Sequence, residues 1–326
     1  MSKLNTQIYT SNDELPEGLA GTDFFHSATL FRLCRQTPRH RPYMVVVEQE
    51  GQGIVAQLLA LVRYRSSWFP PYFYMHCRIY GEGVYAKSAL QQKDELFGMM
   101  LDMLTHHIGR RVLYIEVSNL SQKMFGYKAF RQSGYFPVRW MSIHNSLHSR
   151  TPEERISERM RQRIDDAYAR GVTTTMAEGE EDFKALTKLL RHHNWLKPKR
   201  YVPPDEFFKG IGIEDGRLFV TKYHGHVIGC SVVVYSQQQA YLWYSAYRRK
   251  SFALLHPAET TIWHAIKDAH RRGYEHIFFL DVGLPFRKNP FREFILRFGG
   301  KPVSTYRWFR ISLGWANSLC SWFFRE

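Results

Sequence analysis

The sequence predicts a mixed α/β protein of two similar halves, each a mostly antiparallel sheet flanked by helices. Three observations carry this. The chain has 326 residues, beyond the usual single-domain span and suited to two domains of about 150 residues each. Hydrophobic residues make up 44% and aromatics 15%, enough for two packed cores. One order of strand-like and helix-like patterns runs through the chain twice.

In the first half, Tyr43 to Tyr64 predicts two strands around a turn at Gly51-Gln52-Gly53, with Val45, Val46 and Val47 leading in. Phe69 to Val84 is aromatic and extended. Gln91 to Ile108 carries Leu96, Met99, Met100, Met103 and Leu104 at the spacing of one helical face. Arg111 to Val117 is a short buried strand, Ser121 to Ser133 a helix closed by Gly134, and Trp140 to Leu147 a further strand.

The second half repeats the order. Asp182 to His193 is helical, and Leu218 to Ser245 holds strand-like runs broken at His224-Gly225-His226 and at Ser236 to Gln239. Pro257 opens a helix ending near Gly273, His276 to Val282 is a strand, and Pro290 to Phe298 is a helix stopped by Gly299-Gly300. The halves also match in detail. Tyr127, Phe130, Gly134, Pro137 and Trp140 correspond to Phe291, Phe294, Gly299, Pro302 and Trp308. The strand ending Ile115-Glu116-Val117 corresponds to the one ending Leu280-Asp281-Val282. Weak similarity in a fixed order marks a duplicated domain. The expected division is 1–150 and 151–326, with one linking helix over 152–171. Ile156, Met160, Ile164 and Ala167 form its apolar stripe, and Arg155, Arg159 and Arg163 lie one turn apart beside it. Those arginines form either a solvated face or a stripe aimed at phosphates.

The formal charge of +15 and isoelectric point near 9.7 predict attraction to polyanions: nucleic acid, anionic lipid or a phosphorylated substrate. Cys34, Cys77, Cys230 and Cys320 lie far apart, which argues for reduced thiols rather than a disulfide framework or zinc site. The polar start and the lack of long apolar runs predict a cytoplasmic protein, peripheral at most to the inner membrane face. GxSxG, Walker and HExxH patterns are missing, and the pairs His106-His107 and His192-His193 lack metal-ligand spacing, so no metal is expected.

This order of elements is that of GNAT acyltransferases. Duplicated in one chain, it resembles the tandem-GNAT, Fem-type peptidoglycan-bridge aminoacyltransferases. Arg159 to Gly171 resembles the Arg-rich helix opening the second Fem-type repeat, and Ala240 to Ala246 its aromatic strand. Leu255-His256-Pro257 opens the next helix, and Leu280-Asp281-Val282-Gly283 resembles the strand-ending Asp-x-Gly, followed by Phe291 to Gly300. The chain departs from the family in having only the short 152–171 segment where a long helical arm is common, and Arg292 where lysine is common.

The resemblance implies transfer of an acyl or aminoacyl group to an amine. Such a site must take the amine proton, hold an anionic donor and stabilise an oxyanion. Asp281 is the candidate base, and Tyr244 or Tyr241 the candidate proton donor. Asp281 is equally compatible with a turn or capping role, and successive strand residues face opposite ways, so one tyrosine is expected to serve packing alone. The candidate donor-binding cations are Arg159, Arg163, Arg248, Arg249, Lys250, Arg287, Lys288 and Arg292. Acyl-CoA enzymes of this kind hold pyrophosphate on backbone N–H groups of a glycine loop running into a helix. The second-half loop Arg248 to Ala253 lacks glycine, whereas Arg78-Ile79-Tyr80-Gly81-Glu82-Gly83 fits the pattern, with the helix starting several residues later. No tightly bound cofactor is expected, and the donor is aminoacyl-tRNA or acyl-CoA.

From Val282 to Ser312 seven basic residues face one acid, Glu293, and aromatics are interleaved, as at phosphate-contacting surfaces. A second basic cluster is Lys188, Arg191, Trp195, Lys197, Lys199 and Arg200. Leu313 to Phe324 puts Trp315, Leu319, Trp322 and Phe323 on one helical face, to lie on a membrane, cover a groove of the domain or meet a second copy. Three functions follow as expectations: an amide-forming aminoacyltransferase acting on a cell-wall or other envelope precursor, an acyl-CoA-dependent N-acetyltransferase, or a non-catalytic RNA- or membrane-binding protein on the same fold.

Overall fold

The computed structural model describes residues 3–12, 14–19, 23–66, 70–194, 202–213, 216–280, 282–284 and 288–324. Two compact units emerge: residues 1–140 with 304–326, and residues 141–303.

The first unit runs through β1 (Leu4–Tyr9), a 3-10 turn (Phe24–His26), α1 (Ala28–Gln36), β2 (His40–Gln49), β3 (Gly53–Ser66), β4 (Phe73–Tyr80), β5 (Val84–Tyr85), α2 (Lys93–Ile108), β6 (Tyr114–Ser118) and α3 (Tyr127–Gln132), then enters β7 (Phe136–Ser146). The second unit takes the rest of β7, then α4 (Pro152–Arg155), α5 (Glu158–Ala169), β8 (Thr173–Met176), α6 (Gly179–Asn194), α7 (Asp205–Ile213), β9 (Gly216–Tyr223), β10 (His226–Ser236), β11 (Gln239–Tyr247), α8 (Pro257–Arg271), β12 (His276–Phe279) and α9 (Pro290–Leu296), and enters β13 (Lys301–Ile311). The remainder of β13 and α10 (Gly314–Phe323) return to the first unit.

Each unit repeats one topology. In the first, β1, β2, β3 and β4 pair antiparallel in order, β6 joins β4 in parallel, and β13 joins β6 antiparallel. In the second, β8, β9, β10 and β11 pair antiparallel, β12 joins β11 in parallel, and β7 joins β12 antiparallel. The closing strands are therefore exchanged: β7 follows α3 but completes the second unit, and β13 follows α9 but completes the first. Packing explains the fit. Trp308 of β13, fully buried, stacks on Phe130 of α3 at 4.5 Å, and Ile143 of β7 is buried in one core with Ile277 and Phe279.

The cores follow the sequence periodicities. In α2, Leu96, Met100, Leu104 and Ile108 are buried against the valines of β2 and β3, with Asp94 and Glu95 in the first turn complementing the helix dipole. In the second unit, α8 lays Ala258, Ile262, Ala265 and Ala269 on Val233, Ala240 and Leu242. Gly229 of β10 makes this approach possible, because a Cβ there would lie 2.3 Å from Thr261 Oγ1.

The stretch expected as one helix over 152–171 is two. Ile156 takes an extended conformation, and Ser157 caps α5 by accepting the Met160 N–H at 3.3 Å. The apolar stripe Ile156, Met160, Ile164 and Ala167 is buried as expected.

Candidate active site

The two parallel strand pairs differ where they end. In the second unit the described β11–β12 pairs end at Leu242 opposite Phe279, with the Leu280 N–H donating to Leu242 O at 3.4 Å, while β11 runs on to Tyr247 paired with β10. In the first unit β4 is paired to its last residue, Tyr80 opposite Ser118, and the Gly81 N–H extends the contact to Ser118 O at 2.7 Å. Where neighbouring parallel strands part, α/β sheets form the crevices that take ligands. Among the described residues only the second unit's pair has this opening.

A bulge decides which side chains face it. The β10–β11 register jumps between Val232, opposite Tyr244, and Val233, opposite Leu242, so Trp243 is the extra residue. Without the bulge Tyr241 and Tyr244 would face opposite ways; with it they share the side away from the Leu242 core. Tyr241 is half-buried and stacks on Phe278 of β12 at 5.4 Å. Tyr244, buried, meets Phe208 of α7 edge-on at 5.4 Å, and Trp243 meets Phe207 at 5.9 Å. Strict alternation, which sets the two tyrosines on opposite faces, omits this bulge.

Asp281 lies outside the described residues, as do Arg287, Phe286 and the cluster members Trp195, Lys197, Lys199 and Arg200. The described residues before and after Asp281 are tightly packed. Leu280 and Val282 are buried. Gly283 sits at φ +87°, where a Cβ would come within 2.6 Å of Asn289 Nδ2. Asn289 Nδ2 donates to Val282 O at 2.8 Å, while its Oδ1 accepts the Phe291 and Arg292 N–H groups, capping α9. Arg292 donates from Nη1 to Leu284 O at 2.6 Å, so this cation holds the turn. Lys288 is exposed.

The loop after β11 supplies cations beside the opening. Arg248 N–H donates to Ile228 O at 2.8 Å, and its side chain is exposed, as is Lys250. The Arg249 guanidinium lies 4.2 Å from the centre of the Phe294 ring and 5.5 Å from that of Tyr247, bracing the loop against α9. Arg170, following α5, donates to Leu254 O at 3.3 Å, joining that helix end to the loop. On α5 itself Arg159 is exposed and Arg163 half-buried.

On α6, Lys184, Lys188 and Arg191 recur at helical spacing and, with Thr187 and Asp205, line a cavity of about 320 Å³. Lys188 and Arg191 belong to the second basic cluster of the sequence, and Lys184, at i−4 from Lys188, joins them here. The basic run from Val282 to Ser312 is divided by the exchanged strand, since residues from 304 onward belong to the first unit. There Arg307 is buried, with Nη1 2.7 Å from Glu116 Oε1 and its guanidinium 4.0 Å from the Trp140 ring centre, and so holds the sheet together.

The glycine loop of the first unit is occupied by the protein. Arg78 sits 3.6 Å from the same Glu116 oxygen and over the Tyr80 ring. Gly83 N–H donates to His26 Nε2 at 3.1 Å, and a Cβ on Gly81 would lie 3.3 Å from that nitrogen. Burial lowers the His26 pKa and favours its neutral form as acceptor. Between the glycines, the buried Glu82 carboxylate binds Lys93 and accepts the Ser121 N–H at 2.6 Å. Among the described residues no group of three or more His, Cys, Asp or Glu side chains is placed to hold a metal ion, and no helix is long and apolar enough to cross a membrane.

Residues 154–288 match the family model described as an acetyltransferase (GNAT) domain. The crystal structure of FemX superimposes with a TM-score of 0.64 at 11% identity, covering 97% of this chain and 100% of that one. L-PGS from Bacillus licheniformis gives 0.55 at 12% identity over 82% and 87%. A tandem GNAT protein from the clavulanic acid biosynthesis pathway gives 0.54 at 10% identity over 95% and 99%. No match is found among curated protein sequences. The chain has the Fem-like tandem-GNAT fold.

Proposed function

From a chain built of two GNAT units, we propose an amide-forming acyltransferase that works in its second unit and takes aminoacyl-tRNA as donor. The observation that carries the proposal is that β11 runs on past its last described pair with β12, in the unit that also bears the GNAT family match. The donor carbonyl is placed where the two strands part, with the backbone N–H groups there assigned to the developing oxyanion.

In the proposed reaction the acceptor amine attacks the ester carbon of the donor. A C–N bond forms, the C–O bond to the ribose breaks, and the ribose hydroxyl leaves. Asp281 takes the amine proton. Tyr244, on the face toward α7, gives a proton to the leaving oxygen and is recharged from solvent. Arg159, Arg163, Arg248, Lys250, Arg287 and Lys288 are assigned to donor phosphates. Arg249 and Arg292, engaged with Phe294 and Leu284 O, are assigned to shaping that surface.

The donor choice rests on backbone chemistry. Pyrophosphate binding of the CoA type needs closely approachable N–H groups. The second-unit loop offers side-chain cations without glycine, and the Gly81 and Gly83 N–H groups already donate to Ser118 O and His26. Side-chain cations suit a long polyanion. The acceptor is proposed as an amine on a cell-wall or other envelope precursor.

The test is anisotropy titration with aminoacylated and deacylated tRNA at about 0.15 M salt, where loose electrostatic attachment is partly screened. Tighter binding of the charged form supports the proposal. Equal binding favours a polyanion-binding protein without transfer. Failure of tRNA to bind, with saturable binding of acyl-CoA, favours the CoA-dependent alternative.

A further inference from the structure

The helix α10 is mounted with its polar side toward the protein. Asn317 Oδ1 accepts the Ile311 N–H at 2.8 Å, and its Nδ2 donates to Gly134 O at 3.0 Å. Ser321 Oγ lies 3.4 Å from Arg131 Nη1, and Phe324 stacks on Phe136 at 5.9 Å. At 100° per residue these positions share one side. The opposite side carries Trp315, Leu319, Trp322 and Phe323, which are 72%, 57%, 64% and 71% exposed. Helices of globular proteins bury their apolar stripe against the core. This one does the reverse, so the expectation that the stripe covers a groove of its own domain is overturned.

We propose that α10 docks this first unit on an anionic lipid bilayer, lying in the plane of the headgroups with Trp315, Leu319, Trp322 and Phe323 inserted. Its ten residues span about 15 Å, too short to cross the hydrocarbon and suited to lying flat. Indole and phenyl side chains prefer the headgroup level. The helix bears no charge of its own, but exposed Arg131 of α3 reaches Ser321, exposed Lys128 lies three residues before it on α3, and the chain carries +15 overall. That sign matches anionic headgroups and makes like-charged copies repel. The four side chains offer about 500 Å², short of the roughly 800 Å² per partner of a stable protein interface. The proposal is independent of the acyl donor.

The test is flotation with vesicles of phosphatidylcholine alone and with about 30 mol% phosphatidylglycerol, using the full chain and the double variant Trp315→Ser/Trp322→Ser. Both indoles are exposed, so circular dichroism and thermal unfolding are expected to stay as in the parent. The parent is expected to float with the anionic vesicles. The double variant should lose affinity at least tenfold, and Lys128→Gln/Arg131→Gln severalfold. Three results overturn the proposal: no flotation of the parent, flotation unchanged in the indole variant, or a concentration-dependent dimer in sedimentation that the indole variant abolishes.

Discussion

Tyr241 and Tyr244, three positions apart on β11, stand on the same side of the second unit's sheet because Trp243 between them is bulged out of the ladder. One extra residue thus brings two hydroxyl-bearing rings to one side of the strand. Their surroundings separate their roles: Tyr241 is stacked on Phe278, whereas Tyr244 lies beyond the last β11–β12 pair, next to α7.

Replacing Tyr244 with Phe keeps the ring against Phe208 and removes the hydroxyl. Turnover is expected to fall about a hundredfold, the lower range for loss of a positioned proton donor. Tyr241→Phe is expected to stay within about threefold, since its stacking survives. Steady-state kinetics of both variants check this. Equal losses would contradict the division of roles.

The turn after β12 depends on one glycine. Gly283→Ala places a Cβ at φ +87° against Asn289 Nδ2 and is expected to destabilise the second unit by about 1–3 kcal/mol. Asn289→Ala, which loses the α9 cap, is expected to cost about 1 kcal/mol. Urea unfolding followed by fluorescence reads both.

The thiols are sharply divided. Burial pushes Cys34 and Cys230 up to about 12 and raises Cys77 further, while Cys320 is partly exposed. Only thiolates react readily. At pH 8 a disulfide reagent is expected to label Cys320 alone in the native chain and all four cysteines after denaturation.

Acid should weaken the first unit through buried histidines, His40 and His76 beside the His26 already described. Burial, assisted by Arg63, lowers His40 to about 3. Burial with Arg65, Arg63 and Arg78 lowers His76 to about 2. Both are neutral when folded and bind protons near pH 6.5 when unfolded, so the unfolded state gains protons as pH falls. Their contribution is complete above about pH 6.5 and declines below it, by up to about 1.4 kcal/mol per pH unit for each histidine. Unfolding free energies measured between pH 7 and 4 should show this slope, and His76→Gln should flatten it.

Much of the fold was legible. The helical face of α2, the Pro257 start of α8 and the Gly134 and Gly299 stops rest on local chemistry that survives in the fold. The duplicated topology followed from the order of such elements. The strand exchange was not legible: the segments around Trp140 and Trp308 have similar patterns, and nothing local tells which sheet edge each will fill. The break at Ser157 was missed because the stripe from Ile156 to Ala167 stays in phase across it. The bulge at Trp243 was missed because it depends on the facing strand β10. The glycine loop around Gly83 matched a donor-binding pattern, but the sequence could not reveal that His26 takes its N–H.

The central claim is that the second unit forms an amide bond. Its most direct test is single-turnover transfer from labelled aminoacyl-tRNA to amine-bearing cell-wall precursor peptides, followed by mass spectrometry, in the parent chain, Tyr244→Phe and Asp281→Ala. An amide product with release of deacylated tRNA, slowed about a hundredfold or more in both variants, is the predicted result. Product formed equally well by both variants, or no product from aminoacyl-tRNA while the parent binds it, would contradict the account.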